Sequence, residues 1–234
     1  MLTVKNMPDC SKTLFYNDIA DEFDSVMNSY DLQKRLSIVF ERLLRDEDLT
    51  NKRVLDAGCG TGWFSAAAWK RGGTVTALDI GPDLLRKVRE KCPCQTVEGD
   101  LLRLPFPEEA FDVVICSEAV EHTRDPEQAF MNLARVLRRD GCLVLTMPNR
   151  FWFWSVQVAN WLKLRPYEGL ENWRGLKDLR KWSDESGIRI EACLGFHLFP
   201  FVISWTQPLL NYLDRYGEKL LPVMVNIAVK GRKL

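Results

Sequence analysis

The stretch Val54-Leu55-Asp56-Ala57-Gly58-Cys59-Gly60-Thr61-Gly62 decides the fold of this chain. Its apolar start predicts a buried strand, and its three alternate glycines predict a tight turn that leads into a helix at Trp63. Glycine permits positive φ angles and has no Cβ that would hold a ligand away from the backbone. The first amides of the following helix then face whatever occupies the turn. The stretch is therefore typical of a nucleotide-binding turn.

The glycine spacing and Asp56 both argue against a dinucleotide in this turn. The spacing is G-x-G-x-G, whereas dinucleotide-binding turns have G-x-G-x-x-G. Asp56 lies two positions before the first glycine, where its charge would repel a pyrophosphate. The same carboxylate suits a ligand that carries a positive ammonium group. A nicotinamide-dependent oxidoreductase is therefore the less favoured alternative.

Predicted strands and helices alternate along the middle of the chain. The predicted elements are strands at 53–57, 74–78, 95–98, 111–116 and 142–147, with helices at 63–71, 83–91 and 125 to about 138. This alternation predicts a Rossmann-like, doubly wound α/β fold with a parallel sheet, right-handed crossovers and helices on both faces. A helix at 176–186 and strands at 188–197 and 223–229 complete the predicted elements.

Acidic residues lie at or just beyond the ends of three successive predicted strands. Asp56 is in the first strand, Asp79 ends the second, and Asp100 follows the third. The carboxyl ends of parallel strands form one edge of the sheet, where such folds bind their ligands. An acid at the end of the second strand receives the two ribose hydroxyls in Rossmann-like folds, through charge-assisted hydrogen bonds.

These features resemble motif I and the acids that follow it in class I S-adenosylmethionine-dependent methyltransferases, over about residues 50–150. The resemblance implies a seven-stranded sheet whose last strand is antiparallel. It also implies S-adenosylmethionine as cofactor, S-adenosylhomocysteine as product, a ribose contact for Asp79 and an adenine contact for Asp100. The implied cofactor-binding residues are Asp56, Gly58, Cys59, Gly60, Thr61, Gly62, Asp79, Ile80, Asp100, Leu101, Ser117 and Glu118.

The residues after the fourth strand should face the methyl group, and His122 is the candidate catalytic base there. Histidine titrates nearest neutral pH, so a hydroxyl acceptor, and with it O-methylation, is favoured over carbon or nitrogen. Alternatively, His122 only binds a backbone group. Glu118, Glu121 and His122 also resemble a metal-binding set of ubiquinone-pathway and small-RNA methyltransferases, to which His197 could add a ligand. The predicted site contains no metal.

Composition narrows the possible partners. Lys plus Arg and Asp plus Glu number 32 each, so no net field recruits nucleic acid or an anionic membrane. Seven cysteines without a C-x₂-C pair are typical of reduced thiols. The expectation is one cytoplasmic enzyme domain over 1–234 that acts on a small molecule, of undetermined oligomeric state. A non-catalytic relative that only binds the cofactor stays an alternative.

Two segments lie outside the alternating core. Residues 11–46 predict a cap of two helices, with one apolar stripe that consists of Leu36, Val39, Phe40, Leu43 and Leu44. Residues 148–174 predict an insertion with four of the eight tryptophans. Trp154, Val158, Trp161 and Leu162 fall on one face of a helix in this insertion. An aromatic lid over a flat or apolar acceptor is the preferred interpretation. Weak contact of this helix with lipid and ordinary core packing are the alternatives.

Overall fold

The computed structural model describes residues 17, 19–21, 24, 28–161, 169–199 and 207–234. These residues form one seven-stranded sheet in the order β3-β2-β1-β4-β5-β7-β6. The strands β1 to β5 are parallel to one another, and β7 is antiparallel to both β5 and β6. The strands are β1 Arg53–Ala57, β2 Thr74–Asp79, β3 Gln95–Glu98, β4 Phe111–Ser117, β5 Leu137–Pro148, β6 Ile188–Phe196 and β7 Asn226–Lys233. The predicted fold class, with its antiparallel last strand, is confirmed.

Helices cover both faces of the sheet. They are α1 Ser29–Leu36, α2 Trp63–Lys70, α3 Pro82–Lys91, α4 Pro126–Val136, α5 Phe153–Trp161, α6 Leu176–Glu185, α7 Gln207–Leu213 and α8 Gly217–Leu220. Successive residues of β1 point to opposite faces: Val54 packs with α1 and α2, whereas Leu55 packs with α4 and α6. The strand β4 is buried along its whole length, which explains its continuous apolar sequence.

The N-terminal cap is only partly described. Helix α1 continues directly into a π-helix, Ser37–Leu43, and the predicted apolar stripe of this region packs against the sheet through Val39, Phe40 and Leu43. The first of the two predicted helices lies largely outside the described residues. Among the described residues, no helix is long and apolar enough to cross a membrane.

Two strands, β5 and β7, differ from their predicted bounds by more than one residue. The strand β5 begins at Leu137 instead of Cys142, and Asp140 within it has a positive φ. The register with β4 jumps there, because Phe111 pairs with Leu137 while Val113 pairs with Cys142. The strand β7 is Asn226–Lys233 instead of the predicted 223–229. The 3₁₀-helix Leu221–Val223 precedes it, with a proline in its first turn, a position that suits proline.

Candidate active site

The glycine turn after β1 has the backbone that its sequence predicts. Gly58, Gly60 and Gly62 have φ angles of +71°, +52° and +87°, a region that favours glycine. The amides of Gly58 and Cys59 both donate to the Leu78 carbonyl at the end of β2. A Cβ on Gly58 would lie 2.4 Å from the Cβ of Ala119, so the turn also packs against the loop that follows β4. The bare backbone of this turn fits a closely bound ligand.

Asp79 connects the turn to the end of β2. Its carboxylate accepts hydrogen bonds from the Gly60 amide of the turn, at 2.8 Å, and from the Gly81 amide, at 3.0 Å. Ile80 lies between Asp79 and Gly81 in the sequence. Burial raises the pKa of Asp79, and these amides oppose the rise. The carboxylate therefore positions the turn, and its contact with a ribose stays a prediction.

Asp56 lies behind the turn and is only 1% exposed. One carboxylate oxygen accepts a 2.5 Å hydrogen bond from the Ser65 hydroxyl of α2. Burial raises the pKa of Asp56 to about 7, although the hydrogen bonds from Ser65 favour the anion. Asp56 thus connects α2 to β1 through a hydrogen bond. Its predicted attraction for an ammonium group would be exerted by its charge, from behind the turn.

The loop after β3 is held by Asp100 and by a residue that sequence reasoning missed. Asp100 accepts a 2.8 Å hydrogen bond from the Leu102 amide and so caps the 3₁₀-helix Leu101–Arg103. Asn132 of α4 donates to the Leu101 carbonyl at 3.0 Å. Asn132 is buried and 31 residues away in sequence, so no local motif reveals this contact.

The N-terminal segment reaches the glycine turn through Asp24. Its carboxylate accepts hydrogen bonds from the Thr61 hydroxyl, at 2.5 Å, and from the Trp63 ring nitrogen, at 3.0 Å. Lys91 of α3 forms a 2.7 Å ion pair with the same carboxylate. Sequence reasoning missed Asp24, because it lies in a charged stretch without a motif and 37 residues from Thr61.

Ser117 and Glu118, at the end of β4, contact side chains of β5 and β7. The Ser117 hydroxyl is buried at 2.8 Å from the Thr146 hydroxyl of β5. Glu118 has a φ of +52°, and its side chain accepts a 3.1 Å hydrogen bond from Asn226 of β7. Burial raises the pKa of Glu118 to about 7, while the charge of Arg35 in α1 lowers it. The Glu118 side chain thus lies on the β7 side of β4, and its cofactor contact stays a prediction.

His122 ends the 3₁₀-helix Val120–His122, and its Nδ1 atom lies 2.9 Å from the Leu170 carbonyl oxygen. A carbonyl only accepts hydrogen bonds, so Nδ1 carries the proton and Nε2 is unprotonated in the neutral ring. Nε2 lies 3.9 Å from a carboxyl oxygen of Glu121, which is 2% exposed. His122 therefore does bind a backbone group, the Leu170 carbonyl, and this contact leaves Nε2 unprotonated, as a general base requires.

The aromatic insertion contacts the loop after β4. The Asn172 amide donates to the Glu121 carbonyl at 2.8 Å, and the Asn172 side chain donates to the Thr123 carbonyl at 2.6 Å. In α5, Val156 and Ala159 are buried, whereas Trp154 and Trp161 are 54% and 81% exposed. The core-packing alternative for the tryptophan face is therefore wrong. Leu162 lies outside the described residues.

The metal-binding alternative finds no matching geometry. In the described ranges, no three His, Cys, Asp or Glu side chains are grouped so that they could hold a metal ion. Glu118 points to Asn226, and His197 lies beside Asp31 of α1, with its Nδ1 atom 3.5 Å from the carboxylate. Glu118 and His197 thus contact different neighbours, and the set lacks the geometry of a metal site among the described residues.

Comparison with known proteins agrees with this architecture. A family model described as "Methyltransferase domain" matches residues 55–145. The chain is 34% identical over 143 residues to a malonyl-[acyl-carrier protein] O-methyltransferase of Serratia marcescens, a match that covers 60% of this chain and 56% of that protein. It is 28% identical over 185 residues to a ubiquinone biosynthesis O-methyltransferase of Klebsiella pneumoniae, covering 71% of this chain and 72% of that protein.

Solved structures share the fold at low sequence identity. An S-adenosylmethionine-dependent methyltransferase from Mesorhizobium loti is 21% identical with a TM-score of 0.63, over 81% of this chain and 95% of that chain. A chain solved in complex with the Haloferax volcanii Trm112 methyltransferase activator is 17% identical with a TM-score of 0.64, over 92% of this chain and 96% of that chain.

The sheet order, the glycine turn and these matches define the class of protein. Residues 55–145 match the methyltransferase-domain family, and the chain has the fold of the class I S-adenosylmethionine-dependent methyltransferases, a family that implies S-adenosylmethionine as cofactor. The chain spans little more than half the length of the Serratia protein, and the names of its relatives include different acceptors.

Proposed function

We propose that this enzyme transfers the methyl group to an oxygen atom of a small, flat or apolar acceptor, and that His122 removes the acceptor's proton. The observation that carries this proposal is the hydrogen bond between His122 and the Leu170 carbonyl, which leaves Nε2 unprotonated. The relatives from Serratia and Klebsiella are named O-methyltransferases, which supports oxygen as the acceptor atom. A general base is needed only where the acceptor carries a proton that must leave, as a hydroxyl does.

The cofactor would lie along the glycine turn and the ends of β2 and β3. The side-chain-free glycine turn and the charge of Asp56 would hold its amino-acid part, and Asp79 its ribose hydroxyls. Asp100 would accept from the adenine amine, with Ile80 and Leu101 beside the ring. When bound, the cofactor supplies a methyl group on a positively charged sulfur that is its own leaving group.

His122 would act on the acceptor hydroxyl. Nε2 would take the hydroxyl proton while the acceptor oxygen takes the methyl group that the bound cofactor would supply. The imidazolium that results lies 3.9 Å from Glu121, whose carboxylate would stabilise the positive charge. Burial and, as the second cause, the charge of Glu118 raise the pKa of Glu121 well above its usual value. A positive charge nearby, such as the imidazolium, is therefore needed to favour the Glu121 anion.

Two substitutions of His122 test the base. His122→Ala should lower kcat on a phenolic acceptor by about 10²–10⁴-fold, the usual contribution of a positioned base. His122→Asn places an amide N–H near the Nδ1 position and can keep the Leu170 contact, but it has no base. Equal losses of kcat in both variants, with unchanged affinity for S-adenosylhomocysteine, would support the proposal. Full activity of either variant would contradict it.

We also propose that residues 148–174 form a lid over the acceptor. The contacts of Leu170 with His122 and of Asn172 with Glu121 support this placement, because they join the segment to the reaction centre. Addition of S-adenosylhomocysteine together with a phenol should slow amide hydrogen exchange in this segment. Helix α6 provides the internal control, as its exchange should not change. Equal exchange of the segment with and without ligands would indicate a permanently packed element.

A further inference from the structure

A group of polar side chains lies at the ends of β4, β6 and β7. Glu118 directly follows β4, His197 directly follows β6, and Asn226 begins β7. Asn226 pairs with Phe196 of β6 and with Pro148 of β5, so all of these ends lie at one edge of the sheet. We call Glu118, Glu121, His197 and Asn226 the polar chamber. In the strand order, β4 separates it from the cofactor residues at β1, β2 and β3.

The chamber is assembled by long-range contacts. Asn226 donates to Glu118 at 3.1 Å across 108 residues. Helix α1 supplies Asp31, whose carboxylate lies 3.5 Å from Nδ1 of His197, and Arg35, which is paired with Asp31 at 2.8 Å. Glu118 is only half-buried and Asp31 is 28% exposed, so the chamber is accessible from solvent.

Three polar atoms of the chamber are left to bind a ligand. Oε1 of Glu118, Oε2 of Glu121 and Nε2 of His197 are buried and have no hydrogen-bond partner in the part of the chain that the structure describes. Glu121 and His197 are 2% and 3% exposed, so water from the bulk does not compensate. A buried polar atom without a partner costs about 1–3 kcal/mol. A ligand that satisfies these atoms would recover that cost.

All three atoms can accept hydrogen bonds. The Asp31 carboxylate beside Nδ1 of His197 favours the proton on that nitrogen and leaves Nε2 as an acceptor. Burial raises the pKa of Glu118 and of Glu121, so a donor that carries a positive charge would favour their ionised, accepting forms. When ionised, the group is also negative overall, because its carboxylates outnumber the nearby cations: Asp31, Glu118, Glu121, Glu171 and Asp214 against Lys34 and Arg35. The chamber is therefore complementary to hydrogen-bond donors and unfavourable for an anion.

We propose that the polar chamber binds the donor-bearing part of the methyl acceptor, a hydroxyl or ammonium group, and that Glu118 and His197 thereby select acceptors and reject carboxylates. This inference rests on the proposed function, since it specifies the acceptor of the same reaction. It implies that the acceptor differs from the malonyl group in the name of the Serratia relative, which is a carboxylate.

Three size-matched probes test the inference by binding, in the presence of saturating S-adenosylhomocysteine. Catechol carries two hydroxyls, benzylamine carries an ammonium group, and benzoate carries a carboxylate. Saturation-transfer NMR at millimolar concentrations should show catechol or benzylamine binding at least about tenfold more tightly than benzoate, the effect of one charge-assisted hydrogen bond. Which of the two binds identifies the donor as neutral or cationic.

Two variants locate this selectivity. Glu118→Gln removes a carboxylate, and His197→Asn removes the Nε2 acceptor while it keeps an amide donor near Asp31 and tolerates the φ of +57°. Each should lower the donor-to-benzoate affinity ratio about tenfold. Glu127→Gln is the matched control, because Glu127 is an exposed residue paired with Lys181. Its ratio should equal that of the wild type.

The failures are distinguishable. If the wild type does not bind S-adenosylhomocysteine, the proposed function itself is wrong. If it binds the cofactor product but the three probes bind equally, or none binds, the inference alone is overturned. An unchanged affinity ratio in both variants also overturns it. A loss of S-adenosylhomocysteine affinity in Glu118→Gln would overturn the role of Glu118 in the chamber and support its predicted cofactor contact instead.

Discussion

The two halves of the sheet edge are built in different ways. The half proposed for the cofactor lies at β1, β2 and β3, where the Gly60 amide of the glycine turn donates to the Asp79 carboxylate across 19 residues. The half proposed for the acceptor lies at β4, β6 and β7, where Asn226 donates to Glu118 across 108 residues. The first half is thus built mainly from one local turn, and the second from side chains of distant elements.

The halves meet at Gly58, and its replacement should have the largest effect. Gly58→Ala would place a Cβ 2.4 Å from that of Ala119 at a φ of +71°. Steric overlap costs about 1–3 kcal/mol and the left-handed backbone about 1–2 kcal/mol, so both stability and S-adenosylhomocysteine binding should fall sharply. Thermal unfolding and calorimetry measure the two losses.

Gly187→Ala is the control for backbone strain in this comparison. Gly187 has a φ of +69°, but nothing lies within 4 Å of the position its Cβ would take. It should lower stability modestly and leave the cofactor affinity unchanged. If both alanine variants bind S-adenosylhomocysteine like the wild type, close packing of the turn against the acceptor half is not needed for binding.

Asp79→Ala should have the next largest effect and should act on the cofactor half alone. It removes the partner of the Gly60 and Gly81 amides together with the predicted ribose contacts. A loss of roughly 2–4 kcal/mol in S-adenosylhomocysteine binding is expected for charge-assisted contacts. Calorimetry beside Glu118→Gln sharpens the comparison, because that variant should keep its affinity. Equal losses in the two variants would show that the halves are not separate.

The raised pKa of Asp56 predicts a smaller effect, on how the free energy of unfolding changes with pH. Burial raises its pKa from 3.8 to about 7, so the folded state holds the proton more tightly than the unfolded state. Its contribution is complete below about pH 4 and is lost as the pH rises to about 7, by at most about 1.4 kcal/mol per pH unit. Asp56→Asn mimics the protonated form, so its stability relative to the wild type should increase across this window. Denaturant unfolding at pH 4.5, 6 and 7.5 measures the trend.

Asp112 provides the control of opposite sign. Partial burial opposes its ionisation, but hydrogen bonds from Arg53 and the charge of Arg138 outweigh burial and lower its pKa. Its contribution is therefore present above the unfolded pKa and is lost as the pH falls. The stability of Asp112→Asn relative to the wild type should thus decrease as the pH rises through the ordinary aspartate range. A pH-independent difference for Asp56→Asn would show that its carboxyl is ionised in the folded protein.

Much of the fold and of the cofactor half could be predicted from sequence because its signals are local. Alternating apolar segments predicted each strand of the sheet, and the glycine turn has the positive φ angles that its composition implies. The boundaries of β5 and β7 were less predictable. Pairing with β4 extends β5 back to Leu137, and a proline-containing 3₁₀-helix delays β7 to Asn226.

The acceptor half could not be assembled in this way. The tryptophan pattern of 148–174 predicted an aromatic lid, but it did not decide between a lid, lipid contact and core packing, because hydropathy alone does not say which face of a helix finds a partner. The exposure of Trp154 and Trp161 argues against core packing only. Sequence reasoning missed the roles of Asp24 and Asn132 because neither residue lies near its partner in the sequence.

The sequence by itself determined the sheet, the turn and the class of cofactor, since these depend on strand periodicity, on glycine's conformational freedom and on acids at strand ends. Only the tertiary structure decided which nitrogen of His122 carries the proton, through the Leu170 carbonyl 48 residues away. It also decided that Glu118 and His197 share one chamber. Such contacts arise from the packing of distant elements, and packing is a property of the whole fold that no short stretch of sequence contains.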